Sequence, residues 1–108
     1  MSFLVHLSQE EENVREKTIE KRLTDKINKM GGWALKFTSP GCAGLPDRLI
    51  LMPGGRLWFV EVKAPGEKPR PLQLFRMKQI RNLGFPARVV DSPESVDEFL
   101  REVADSDL

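Results

Sequence analysis

Along the first third of the chain Ile19, Leu23, Ile27 and Met30 recur at three- and four-residue intervals among charged residues, until Gly31-Gly32 ends the run. That interval stacks side chains on one face of a helix. Ser8 and Glu11 have the spacing of a capping box, so the pattern predicts a helix over about residues 9–30. The period then changes to two. Trp33, Leu35 and Phe37 alternate with Ala34, Lys36 and Thr38, as in a strand, before the loop SPGCAGLP at 39–46. RLILM and LWFVEVK flank Pro53-Gly54-Gly55, which predicts a β-hairpin. After the loop APGEKPRP, Leu72, Phe75, Met77, Ile80 and Leu83 predict a second helix that Gly84 stops. Ala87 to Val90 reads as a short strand. Ser92-Pro93 then caps a last helix lined by Val96, Phe99, Leu100 and Val103. The order αβββαβα predicts an α/β fold with a mixed sheet flanked by helices.

With 108 residues, 40% of them apolar, the chain is expected to form one domain across 1–108. No apolar run is long enough to span a membrane, and MSFLVHLS is too short and uncharged for a secretory signal, so a cytoplasmic protein is expected. One cysteine, Cys42, and one histidine, His6, exclude a disulfide and a zinc site built by this chain alone. His6 is expected to be inert. The net charge of +1 conceals a segregation. Lys63, Lys68, Arg70, Arg76, Lys78, Arg81 and Arg88 face only Glu67 in residues 63–90, whereas residues 91–108 carry seven acidic residues against Arg101. A face rich in Lys and Arg suits a polyanion, although a solvated helix face would look the same.

The hairpin carries the chemistry. Across a three-residue turn Met52 pairs with Arg56, which sets Asp47 opposite Glu61, and opposed side chains project from one face of a sheet about 5 Å apart. Two carboxylates so placed can grip one divalent cation, with the Val62 carbonyl as a further ligand and Lys63 on the same face. A two-residue Gly54-Gly55 turn would instead set Asp47 opposite Val62 and spoil the alignment. The cost of burying a charge supports the first register, since Glu61 lies between Val60 and Val62 in an apolar strand. Phosphodiester hydrolysis needs these groups: a cation to neutralise charge and activate water, and a positive group beside the nucleophile, the role read for Lys63. A buried ion-pair network would present the same three residues without any catalysis.

Pro46-Asp47 followed by Glu61-Val62-Lys63 resembles the PD-(D/E)XK nuclease signature. The wider string GLPDRLILMPGG…FVEVKAPG…Q resembles virus-type replication-repair nuclease (VRR-NUC) domains over about residues 16–100. The resemblance implies a restriction-endonuclease-like core, dependence on Mg²⁺ or Mn²⁺, and hydrolysis leaving a 5′-phosphate. Stand-alone members from phages and bacteria tend to be homodimers that cut four-way (Holliday) junctions, which implies a bacterial cell or a phage-infected host as the setting. The Fanconi-associated nuclease joins a related domain to large extra domains and acts on flaps, a specificity not carried over here.

The resemblance also implies an acidic residue from the first helix, for which Glu16 and Glu20 are candidates. Glu16 falls within the apolar stripe and Glu20 nearer its edge, which favours Glu16. Gln73 matches the family's glutamine near the site, where its amide could orient water or a phosphate. Lys36 matches a basic position of the pattern. Arg70, Arg76, Lys78 and Arg81 are expected phosphate contacts. Trp33, Trp58 and Phe37 are expected in the core rather than as base-stacking platforms. The expected activity is therefore cleavage of branched DNA by a homodimer. Nicking or flap cleavage, and a non-catalytic DNA-binding module, are the competing readings. The acidic C-terminal helix is a possible helicase or replisome contact in any of them.

Overall fold

The computed structural model describes residues 8–106. His6 therefore lies outside the described residues. The elements follow the expected order: α1 (Gln9–Lys29), β1 (Trp33–Lys36), β2 (Arg48–Met52), β3 (Arg56–Val62), α2 (Pro71–Asn82), β4 (Ala87–Val90) and α3 (Pro93–Asp105). The Ser8 hydroxyl caps α1 by accepting the Glu11 amide at 3.1 Å, and the Ser92 hydroxyl caps α3 by accepting the Ser95 amide at 3.0 Å. Both offset amides that a helix start leaves without partners.

The strands form one sheet in the order β1-β2-β3-β4, antiparallel except for the parallel pair β3–β4. Met52 pairs with Arg56, so the hairpin turns through three residues, with Gly54 and Gly55 at φ of 85° and 75°. Those backbone angles strain any residue with a Cβ, which is why the turn needs its glycines. A parallel pair cannot be joined by a tight turn, and the crossover from β3 to β4 carries α2.

One face of the sheet is closed by α1 and α3. Ile19, Leu23 and Ile27 from α1, with Val96, Phe99, Leu100 and Val103 from α3, bury Ile50, Met52, Trp58, Val60 and Val62. Trp58 meets Phe99 edge to face at 6.2 Å, and its indole N–H donates to Glu102 at 2.8 Å. Two acidic residues of α3 are thus engaged within the chain. Glu102 also takes Arg88, while Asp97 receives Arg22 and Lys26 from α1.

The other face is covered by α2 on its β4 side, where Ala87 and Glu61 are buried, and is only half-buried over β1 and β2. Strand register lines up two rows of large apolar side chains there, Trp33–Leu51–Leu57 and Leu35–Leu49–Phe59, with Phe85 against Phe59. Trp33 is 58% exposed, a correction to its expected core position, whereas Trp58 is buried and Phe37 half-buried. Alternation explains the split: Trp33 falls out of phase with Ala34, the β1 residue that packs on the core. The phase of α2 also departs from the apolar pattern. Gln73 and Met77 are buried, while Leu72, Phe75 and Leu83 are exposed.

Candidate metal-dependent nuclease site

The site forms where β2 and β3 leave the hairpin. Asp47 immediately precedes β2, and its carbonyl accepts the Phe37 amide at 2.8 Å, continuing the β1–β2 pairing. The β2–β3 register extends by one step to set Asp47 opposite Glu61. The two residues then bond side chain to main chain. The Asp47 amide donates to Glu61 Oε1 and the Val62 amide donates to Asp47 Oδ1, each at 3.1 Å. These bonds hold both carboxylates where backbone pairing stops.

Glu61, Lys63 and Gln73 are 5, 8 and 7% exposed. Such burial of ionic groups requires partners. Glu61 Oε2 receives Lys63 Nζ at 3.2 Å and Gln73 Nε2 at 3.0 Å, while the Gln73 carbonyl accepts the Arg70 amide at 2.8 Å. The start of α2 therefore fixes which end of the amide faces Glu61. Lys63 also lies 3.6 Å from Glu67.

Across the cluster α1 presents Glu16 and Glu20, both half-buried. One carboxylate oxygen from each of Glu16, Glu20 and Asp47 lies within 4.8 Å of the other two. Glu16 and Glu20 are one helical turn apart, so both reach the site. Glu61 stands beside this trio with its oxygens already accepting hydrogen bonds. The Val62 amide points to the β2 side, and in an extended strand a residue's carbonyl points the same way as its amide, toward Asp47.

Arg48, which no sequence argument singled out, belongs to the same cluster. It is 5% exposed, lies 2.9 Å from Glu20 and 3.4 Å from Asp47 Oδ2, and donates to the Asp47 carbonyl at 3.0 Å. The signal for it was phase, since Arg48 stands two and four residues before Ile50 and Met52 and so shares their core face.

The cluster is electrostatically short of positive charge. Burial, then the charge of Glu20, pushes the Glu16 carboxyl above the usual carboxylate range. Burial does the same to Asp47, against the Val62 amide and Arg48. Burial and then Asp47 raise Glu61, against Lys63. Hard oxygen donors converging in a negative pocket fit a hard divalent cation.

This gives a pH dependence with a definite sign. A carboxyl whose pKa is higher folded than unfolded binds its proton preferentially in the folded state, so stability falls as pH rises through that interval. Asp97 acts oppositely. Hydrogen bonds from Arg22 and then Lys26 lower it to about 2, so its contribution is present above its unfolded value and is lost as pH falls from there toward about 2. In EDTA the melting temperature should therefore rise as the pH is lowered from neutrality toward the carboxylate range and fall again below about pH 4. Asp47→Asn should flatten the rise; an equally steep rise in that variant would refute the assignment.

The other expected residues are dispersed. Lys36, Arg70, Lys78 and Arg81 are exposed. Arg81 donates to the Ala87 carbonyl, and Arg76 donates to the Ala43 carbonyl at 3.0 Å, pinning the 39–46 loop to α2.

A mixed sheet bearing an acidic cluster and an adjacent buried lysine defines a metal-dependent nuclease. A family model described as the VRR-NUC domain matches residues 4–94, and the chain belongs to that family. It is 49% identical over 81 residues to a protein of Acyrthosiphon pisum secondary endosymbiont phage 1 named "Putative nuclease p44", covering 75% of this chain and 87% of the phage protein. A solved structure described as a "VRR_NUC domain" superposes with a TM-score of 0.76 at 33% identity, over 81% of this chain and 95% of that one.

Proposed function

We propose that this chain is a structure-specific DNA endonuclease that hydrolyses phosphodiester bonds with Mg²⁺, for which Mn²⁺ substitutes, and that four-way junctions are its preferred substrate. The observation that carries the reading is the convergence of Glu16, Glu20 and Asp47 beside a buried Glu61–Lys63 pair. Asp47 and Glu16 would hold the ion, with Glu61 and the Val62 carbonyl at its margin. When bound, that ion supplies charge neutralisation at the phosphate and activation of water. Lys63 places a fixed positive charge beside the reacting phosphate, and Gln73 holds Glu61 in orientation. Lys36, Arg70, Arg76, Lys78 and Arg81 would contact phosphates along the backbone, giving affinity without reading sequence.

A homodimer supports the junction reading, because a C₂ enzyme offers two matched sites to a substrate with near two-fold symmetry. The two apolar rows on the sheet face away from α1 and α3, half-buried apart from the exposed Trp33, support it. A contiguous apolar face of this kind on a folded chain marks an interaction surface. Leu51→Glu is expected to convert a dimer into a monomer by sedimentation and to turn paired cuts into single nicks. A wild-type monomer at micromolar concentration would exclude this arrangement and favour nicking of branched DNA.

The deciding experiment compares labelled four-way junction with linear duplex, flap and single-stranded DNA, in Mg²⁺, Mn²⁺ or EDTA. Symmetric paired cuts, abolished by EDTA, are the expected result. Binding to all substrates without cleavage of any would make the chain a DNA-binding module.

A further inference from the structure

Arg48 does something that packing does not require. Its position on β2 is in phase with Ile50 and Met52, where an aliphatic residue would complete the core. A guanidinium at 5% exposure loses hydration that only well-placed anions can replace. It has two of them, Glu20 at 2.9 Å and Asp47 at 3.4 Å, and is further held by the Asp47 carbonyl. On the opposite flank Lys63 stands in the same relation to Glu61. Each side of the acidic cluster thus carries a covalently attached cation. Among the described residues, Glu16 alone of the four carboxylates has no ion pair.

We propose that Arg48 is a positioning residue that acts as a resident counter-cation, tying Glu20 and one side of Asp47 so that the cluster accepts a single divalent ion. The inference rests on the nuclease reading and goes beyond it by fixing the number of ions and the role of Glu20. A second ion would have to lie against Glu20, facing Arg48, or against Glu61, facing Lys63. Either place already holds a positive charge that cannot diffuse away. Arg48 suits the task better than lysine, because its planar fork spans two acceptors at once and never loses its proton.

Removal of Arg48 should therefore strengthen ion binding while harming catalysis, the reverse of what loss of a packing residue would do. With Glu20 released and one positive charge gone, the first ion binds more tightly by about tenfold, and a second is admitted. Cleavage slows because the ions no longer settle at one defined position.

The test is titration of the DNA-free full chain with Mn²⁺, counting bound ions by electron paramagnetic resonance, for wild type, Arg48→Gln and Arg48→Lys. Melting curves in EDTA verify folding. One ion for wild type, two for Arg48→Gln with a tighter first step, and one again for Arg48→Lys is the expected result. Two ions in the wild type, or weaker binding by folded Arg48→Gln, would overturn the proposal. Should Arg48→Gln not fold, Glu20→Gln decides: one ion retained supports the role assigned to Glu20, and loss of binding makes Glu20 a ligand and sinks the idea. A wild type that binds no Mn²⁺ at all would instead count against the nuclease reading itself.

Discussion

Lys63→Ala should lower single-turnover DNA cleavage by about a thousandfold while leaving Mn²⁺ binding intact. A preorganised positive group in a water-poor site is worth about two to three orders of magnitude in rate, because it need not reorganise as charge develops. Lys63 meets that description, at 8% exposure and with its ammonium held 3.2 Å from Glu61. It touches none of the carboxylates that would carry the ion except through Glu61, so ion affinity should change little. Asp47→Ala supplies the contrast, since it removes a proposed ligand and should abolish both cleavage and ion binding. The measurement is a pair of curves on the same preparations, cleavage with excess enzyme and Mn²⁺ titration. Equal loss of both functions in Lys63→Ala would mean that Lys63 merely keeps the site folded.

The second large effect is on stability. Glu61→Ala is expected to destabilise the fold by about 3–5 kcal/mol, the usual range when one member of a buried pair is deleted. It strands three donors at once: the Lys63 ammonium, the Gln73 amide and the Asp47 main-chain N–H. Glu67, 3.6 Å from Lys63, relieves part of the loss. Glu61→Gln keeps an acceptor for the Asp47 amide but turns its own NH₂ toward the Lys63 and Gln73 donors, so it should cost about 2–3 kcal/mol, less than alanine. Urea denaturation in EDTA separates the two. Equal midpoints for alanine, glutamine and wild type would show that Glu61 has no structural role and that its burial serves catalysis alone.

Much of this site could be read before any coordinates, for reasons that differ by residue. Glu61 announced itself by cost, a carboxylate between two valines. Asp47 followed from hairpin arithmetic given a three-residue turn, and the Met52–Arg56 pairing selects that register over the two-residue alternative. Glu16 was preferred to Glu20 from its place in the apolar stripe, but the two lie within one turn of the same helix face, and the structure brings both to the cluster. Gln73 was legible as a match to a pattern and hidden in its orientation. Helix phase is inferred from apolar residues, and α2 turns Leu72, Phe75 and Leu83 outward while burying a glutamine. Arg48 was overlooked because an arginine beside a motif reads as solvated, and only its being in phase with Ile50 and Met52 tells otherwise. Trp33 failed for the converse reason, as a large aromatic on the edge strand of the sheet, on the face away from the α1–α3 core.

The parallel pairing of β3 with β4 has one further consequence. Asp47 and Glu61 are fourteen residues apart and meet as soon as a local hairpin closes, an event of microseconds. Gln73 arrives by a different route, on the crossover that parallel strands oblige the chain to make. A molecule with its hairpin formed but the crossover undocked already has its two carboxylates face to face, yet Glu61 is without its amide partner. Completion of the cluster thereby depends on a longer-range contact than the one that first opposes its carboxylates.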